Sequence, residues 1–151
     1  MRGLAVDKDE KTVEWVRLYS ALGEHGIVWL GLGAWGATLD DRRRRRWIKA
    51  TATVGATYLT STSVKAMIGR QRPVVENLPQ LMRTPTGLSF PSSHSSSSFA
   101  AAQAFGELLP QPLLYAAAAG MAFSRMYLGV HYPSDIAAGA ALGTVMGRLG
   151  R

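Results

Sequence analysis

Cysteine is absent from the 151 residues of this chain, and its absence removes several kinds of chemistry at once. Disulfide bonds, thiolate catalysis and cysteine-based zinc sites are all excluded. Acidic residues are also few, 10 against 17 lysines and arginines, and they form no cluster suited to Mg²⁺. The first ten residues combine mixed charge with no apolar run, so no signal peptide is predicted.

Strong hydrophobicity is missing as well, because the mean hydropathy is only +0.03, which is low for a membrane protein. The apolar segments are nevertheless rich in Ala, Gly, Ser and Thr, which score low but pack well between membrane helices. Five consecutive arginines, residues 42–46, lie between two of these segments. Such a short basic loop is typical of the cytoplasmic side of a membrane protein. The alternative is a soluble, basic nucleic-acid binder, but no nucleic-acid-binding motif is recognisable.

The periodicity of apolar residues and the positions of proline predict an all-α fold, a single-domain membrane bundle covering residues 1–151. An amphipathic helix is predicted over 7–23, with Trp15, Leu18, Tyr19 and Leu22 on one face. It suits either a helix lying on a membrane surface or an ordinary surface helix. The bundle, 24–151, is predicted to contain five helices, over 24–39, 47–68, 91–109, 112–127 and 133–149.

Charge and glycine spacing add two expectations about this bundle. With the arginine run in the cytoplasm, the loop 69–90 and the turn 128–132 fall on the extracytoplasmic face. In the last helix, Gly139, Gly143 and Gly147 repeat every four residues. This small-xxx-small pattern predicts close helix packing, either within the chain or between the subunits of a homo-oligomer.

Cationic side chains mark the first segment that carries chemistry, at the end of the helix 47–68. Lys65 and Arg72 are seven residues apart, so they share a helix face and can hold one anionic group together. Pro73 ends the helix and frees Arg72 to turn inward. Lysine and arginine at a helix end also serve as snorkelling membrane anchors, which is the alternative reading.

A proline-started helix marks the second segment. Pro91 opens it, followed by Ser92, Ser93 and His94. The backbone N–H groups of a first helical turn have no intrahelical acceptor, so they are available to bind phosphate. His94 is therefore expected beside a phosphate site.

The third segment combines a cation, an imidazole and a carboxylate. His131 and Asp135 are four residues apart around a second proline-started helix, with Arg125 just upstream. The carboxylate can accept a hydrogen bond from one ring nitrogen, which leaves the other nitrogen as a nucleophile. Arg125 adds a phosphate donor.

Together these segments resemble the signature of the type 2 phosphatidic acid phosphatase superfamily. The matching stretches are Lys-x6-Arg-Pro at 65–73, Pro-Ser-Ser-His at 91–94 and Ser-Arg-x5-His-x3-Asp at 124–135. The one departure is Ser93, where the family has glycine. Small size and apolar segments favour the membrane branch of lipid phosphatases over the soluble acid phosphatases and the vanadate-dependent haloperoxidases.

The resemblance implies a mechanism without a metal ion or other cofactor. His131 would attack phosphorus and form a phosphohistidine, and Asp135 would orient it. His94 would protonate the leaving oxygen and then activate water. The phosphoryl oxygens would be bound by Lys65, Arg72, Arg125 and the N–H groups near Ser92 and Ser93.

The same resemblance implies a lipid phosphate as substrate and a location in the bacterial inner (plasma) membrane, crossed several times, with the site on the extracytoplasmic face. Residues 23–25 and 90–94 resemble the decaprenylphosphoryl-5-phosphoribose phosphatase group. Undecaprenyl-pyrophosphate and phosphatidylglycerophosphate phosphatases are alternatives, and a non-catalytic lipid-binding membrane protein is a more distant one. The headgroup pocket is expected to involve residues 74–89.

Overall fold

The computed structural model describes residues 9–74 and 80–151, and within these ranges the fold is all-α, as predicted. Apart from an isolated antiparallel bridge between Gln71 and Leu88, these ranges contain no strand pairing. The six α-helices are α1 (Glu10–Leu22), α2 (Ile27–Leu39), α3 (Arg44–Ile68), α4 (Ser93–Ala104), α5 (Gln111–Tyr127) and α6 (Pro133–Leu149). Short 3-10 turns precede α2 and α3, at Glu24–Gly26 and Asp41–Arg43.

Several helix boundaries differ from the sequence prediction, and two of the differences concern the arginine run and the end of α4. The arginine run does not form a loop, because the Asp40 carboxylate accepts from the Arg43 N–H at 3.1 Å and α3 then begins at Arg44. The predicted helix 91–109 ends at Ala104, since the N–H groups of Leu108 and Leu109 both turn back to the carbonyl of Phe105. The predicted helix 133–149 is observed with the same bounds.

The amphipathic helix is α1, which begins where the Asp9 carboxylate accepts from the Thr12 N–H at 3.0 Å. Its predicted first residues, 7 and 8, lie outside the described residues. The Tyr19 hydroxyl donates to the Ala117 carbonyl at 2.7 Å, which holds α1 on α5. Trp15, one turn earlier on the same predicted face, is 72% exposed.

Helix α4 lies at the centre of the bundle and packs against α3, α5 and α6. All but two of its twelve residues are buried, so this serine- and alanine-rich helix forms the interior of the bundle. Its serines are compatible with burial because they bond to the helix backbone: Ser96 Oγ donates to the Ser92 carbonyl at 3.0 Å, and Ser97 Oγ to the Ser93 carbonyl at 2.9 Å.

The glycine face of α6 packs directly on the backbone of α4. A Cβ atom added at Gly139 would lie 2.6 Å from the Ser92 carbonyl oxygen, and one at Gly147 would lie 2.8 Å from the Ala100 carbonyl oxygen. At Gly143 a Cβ would overlap the backbone of α4. The predicted close packing therefore occurs within the chain, and this face is not available to a second subunit.

Several large apolar side chains point outward from the bundle. They include Ile27, Trp35, Leu39, Leu59, Met67, Leu113, Phe123 and Leu149. Among the helices of the described ranges, none is both long enough and apolar enough to cross a membrane.

Candidate active site

The three predicted segments meet at one end of the bundle. Arg72, after α3, donates through Nη1 to the Val130 carbonyl at 2.7 Å. The Ser92 N–H at the start of α4 donates to the carbonyl of Asp135 at 3.0 Å. These two bonds connect the first and second segments directly to the third, although 58 residues separate Arg72 from Val130.

His131 lies in the turn between α5 and α6, where only 4% of its surface is exposed. Its Nε2 lies 3.3 Å from Nη1 of Arg72, and its Nδ1 lies 3.4 Å from Oδ2 of Asp135 without regular hydrogen-bond geometry. Burial first, and then the positive charge of Arg72, lowers the pKa of His131 to about 2. The ring is therefore neutral at physiological pH, and a neutral imidazole has the lone pair that a nucleophile needs.

Asp135 is fully buried in the first turn of α6, and both of its carboxylate oxygens have partners. Oδ2 accepts from the backbone N–H of Tyr132 at 2.9 Å, and Oδ1 accepts from Nη1 of Arg70 at 3.0 Å. Pro133 starts this helix and fixes its first turn. The carboxylate is consequently held against the Nδ1 edge of His131, as the four-residue spacing predicts.

Three cationic side chains surround His131, and each is buried. Lys65, Arg72 and Arg125 are 8%, 8% and 2% exposed, and all three exert an electrostatic effect on the imidazole. Arg125 has only neutral partners among its hydrogen bonds, Ser20 Oγ at 2.6 Å and the Met82 sulfur at 3.0 Å, and its Nε has none in the described part of the chain. Because buried cations are costly without anions, this arrangement suits an anionic ligand.

His94 lies in the first turn of α4, and its Nε2 is buried without a hydrogen-bond partner in the described ranges. The end of α1 covers it, since a Cβ added at Gly23 would lie 2.9 Å from His94 Cδ2. The backbone N–H groups of Ser93 and His94 lie in the first helical turn, where no carbonyl of the same helix can accept from them. The N–H of Ser92 already donates to the Asp135 carbonyl. In this conformation the N–H groups of Ser93 and His94, and not that of Ser92, can donate to a phosphoryl oxygen.

The family departure at Ser93 is accommodated by a serine of α3. Ser61 Oγ donates to Ser93 Oγ at 3.1 Å, and Ser96 Oγ lies 3.3 Å from the same Ser61 oxygen. All three side chains are buried. The hydroxyl group of Ser93 therefore joins a polar network of serines between α3 and the start of α4.

Sequence reasoning missed three residues that contact the predicted ones: Ser20, Ser61 and Arg70. Arg70 could have been suspected, because it lies two residues before Arg72 in the same segment. Nothing local indicated Ser20 or Ser61, since their contacts arise only when α1 and α3 pack on the bundle.

A cavity of about 770 Å³ lies beside the candidate active site, between α1 and residues 80–83. Arg17 of α1 crosses to this segment and donates to the Leu81 carbonyl. Met82 lines the cavity and also contacts Arg125, so the cavity adjoins the cation cluster. Of the predicted headgroup segment 74–89, residues 75–79 lie outside the described residues.

Comparison with known proteins identifies the family of this chain. The family model described as the PAP2 superfamily matches residues 46–150, which contain all three segments. The chain belongs to the PAP2 superfamily. The resemblance read from the motifs is thereby confirmed, and the chain is a phosphatase of this superfamily.

The relatives of this PAP2 protein are named phosphatases. It is 42% identical over 130 residues, 86% of this chain and 73% of the relative, to decaprenylphosphoryl-5-phosphoribose phosphatase of Mycobacterium tuberculosis. Among solved structures, Aquifex aeolicus LpxE superimposes with a TM-score of 0.79 at 22% identity, covering 95% of this chain and 87% of that one. The transmembrane PAP2-type phosphatidylglycerolphosphate phosphatase of Bacillus subtilis gives 0.76 at 22%, covering 95% and 77%. At this identity the two structures establish the shared fold.

Proposed function

We propose that this PAP2 phosphatase hydrolyses a membrane lipid phosphate, without a metal ion, through a phosphohistidine on His131. The main support for this proposal is the position of the His131 imidazole, which is buried near the three buried cations Lys65, Arg72 and Arg125 and has a low pKa that keeps it neutral. Phosphoryl transfer depends mainly on positioning and on stabilising charge on the phosphoryl oxygens. Three buried cationic side chains can stabilise the negative charge on those oxygens without a metal ion.

The proposed reaction has two steps. In the first, Nε2 of His131 forms a bond to phosphorus while the bond from phosphorus to the lipid oxygen breaks, and His94, protonated by the incoming phosphate monoester monoanion, gives that proton to the lipid oxygen. In the second, His94 takes a proton from water, whose oxygen attacks phosphorus and displaces the imidazole. Inorganic phosphate leaves and both histidines return to their starting states. Asp135 orients His131 and balances the positive charge that its ring develops.

The substrate we propose is a polyprenyl-linked phosphate such as decaprenylphosphoryl-5-phosphoribose phosphate. Support comes from the name of the relative that is 42% identical over most of this chain. The cavity between α1 and residues 80–83 offers room for a sugar headgroup next to the cation cluster. Polyprenyl pyrophosphate and phosphatidylglycerophosphate are the alternative substrates, the second because a protein with the same fold is named for it.

We also propose that the chain is a single multi-pass domain of a bacterial inner membrane, with this site on the extracytoplasmic face. The large apolar side chains on the outside of the bundle support a lipid environment. Helix α1 would lie at the interface, with the exposed Trp15, Leu18 and Leu22 toward the lipid. The arginines at the start of α3 support a cytoplasmic position for that end.

The test is phosphate release by the purified full chain in detergent with EDTA. A panel of polyprenyl phosphoribose phosphate, polyprenyl pyrophosphate and phosphatidylglycerophosphate ranks the substrates. We expect His131→Ala to abolish release and His25→Ala, a change at an exposed histidine, to leave it intact. Activity that survives His131→Ala would contradict the mechanism. Lipid binding without phosphate release by the parent would indicate a non-catalytic protein, and salt-sensitive DNA binding would indicate the nucleic-acid alternative.

A further inference from the structure

Arg70 follows α3 and reaches across to the first turn of α6. Its Nη1 donates to the Asp135 Oδ1 at 3.0 Å and to the Ser134 hydroxyl at 2.9 Å. Its guanidinium carbon lies 4.1 Å from the centre of the Tyr132 ring, within cation–π distance. All three contacts are with consecutive or nearly consecutive residues at one helix start, so they fix the guanidinium relative to the Asp135 carboxylate.

Asp135 needs such an anchor because rotation of a carboxylate about its last torsion is only weakly restricted. The Tyr132 N–H binds Oδ2, which is also the oxygen 3.4 Å from His131 Nδ1. Arg70 binds the opposite oxygen, Oδ1. With both oxygens held, the carboxylate plane is fixed and Oδ2 stays directed at the imidazole.

We propose that Arg70 is a positioning residue for the phosphatase reaction: by holding Asp135 it keeps His131 turned with Nε2 toward the phosphoryl group. This inference rests on the proposed function of His131. Arg70 differs from the phosphate-binding cations because it contacts the side of Asp135 remote from His131, whereas Arg72 Nη1 lies beside Nε2 itself. Its side chain is also 38% exposed, while Lys65, Arg72 and Arg125 are buried.

The proposal predicts a specific kinetic pattern for Arg70→Gln. Loss of a hydrogen bond between charged groups lowers kcat about tenfold to hundredfold, because the nucleophile is less well oriented. KM and the inhibition constant for vanadate, a phosphoryl mimic, stay within about twofold, because the phosphate-binding cations remain. Arg70→Lys, which keeps a cation able to donate to Asp135, restores part of the lost kcat.

The experiment measures kcat, KM and vanadate inhibition for the parent, the two Arg70 variants and Arg45→Gln. Arg45 is an exposed arginine near the start of α3, so Arg45→Gln removes the same charge at a position away from the site. An unchanged kcat in Arg70→Gln, or a tenfold weaker vanadate inhibition, overturns the proposal; the second result would make Arg70 a phosphate ligand.

If Arg70→Gln does not fold, Tyr132→Leu serves as a second variant, because it removes only the ring beneath the guanidinium. A severalfold lower kcat at constant KM supports the role of Arg70, and an unchanged kcat refutes it.

The parent and His131→Ala are measured alongside, which separates the two hypotheses. If the parent releases no phosphate, or His131→Ala retains full activity, the proposed function fails. If the parent is active, His131→Ala is inactive and Arg70→Gln behaves as the parent, only the role of Arg70 fails.

Discussion

The hydroxyl of Ser20, in α1, accepts a hydrogen bond at 2.6 Å from the guanidinium of Arg125, which lies 105 residues further along the chain. Ser20 is fully buried, and it lies outside the part of the chain that the family model matches, residues 46–150. Helix α1 therefore forms one wall of the candidate active site in addition to presenting Trp15 outward. The amphipathic pattern predicted an apolar face that includes Trp15 but gave no indication that Ser20 would contact the site.

Ser20→Ala is expected to lower kcat/KM about tenfold. The change leaves a buried, charged donor without its acceptor, and Arg125 then loses its fixed direction toward the phosphoryl site. The measurement is phosphate release together with the thermal midpoint, and Ser63→Ala, at an exposed serine of α3, is the matched control. Equal activity of the two variants would show that Arg125 does not depend on α1.

Local sequence signals predicted much of the site because its key groups occupy helix starts. Proline before α4 and at the start of α6 places His94 and Asp135 in first turns, where spacing alone indicates which groups face the anion. The contact of Arg70 with Asp135 was not predictable, because 65 residues separate them and the packing of α3 and α6 brings them together. The end of α4 at Ala104 was missed for a different reason, since all but Gly106 of the five residues that follow it are compatible with a helix.

His94→Asn is expected to separate the two steps of the reaction. With an alkyl lipid phosphate, loss of the general acid lowers the rate about 10²- to 10⁴-fold. An aryl phosphate such as p-nitrophenyl phosphate has a good leaving group that needs no proton, so the first step persists and the second does not. We expect a burst of nitrophenol and an acid-labile phosphoenzyme.

His131→Ala is the control for this experiment, because without the nucleophile neither burst nor phosphoenzyme can form. Equal rate losses on alkyl and aryl phosphates, with no burst, would assign His94 a role in binding instead of proton transfer.

Stability is expected to fall in acid, and His131→Asn is expected to reduce that fall. Burial and the charge of Arg72 lower the folded-state pKa from 6.5 to about 2. Below pH 6.5 the unfolded chain therefore binds a proton at this residue that the folded chain does not, and unfolding becomes easier as the pH falls. Between pH 7 and pH 5 the parent loses about 2 kcal/mol from this group.

The measurement is the thermal midpoint of the parent and His131→Asn in detergent between pH 7 and pH 5. His25→Asn is the control at an exposed histidine. Parallel curves for the parent and His131→Asn would show that His131 is charged in the folded protein.

A single cysteine at Thr86 reports the proposed orientation in the membrane. The chain has no cysteine of its own, and Thr86 is exposed in the loop between α3 and α4. An impermeant maleimide is expected to label Thr86→Cys in intact cells. Arg45→Cys lies at the start of α3, at the end of that helix remote from the loop, and is expected to react only after lysis. The reverse pattern would place the site on the cytoplasmic face.

Gly143→Ala is expected to destabilise the fold by several kcal/mol and to remove activity with it. The added methyl group would overlap the backbone of α4 near Ser96. Two main chains in contact cannot move apart without disturbing the start of α4, where His94 lies.

Gly31→Ala is the matched control, because it makes the same change in α2 at a position where no atom lies within 4 Å. It is expected to be neutral or stabilising by up to about 1 kcal/mol. Thermal midpoints in detergent compare the two variants directly. Similar midpoints would mean that α6 and α4 do not pack backbone to backbone, and the contact between Ser92 and Asp135 would then need another explanation.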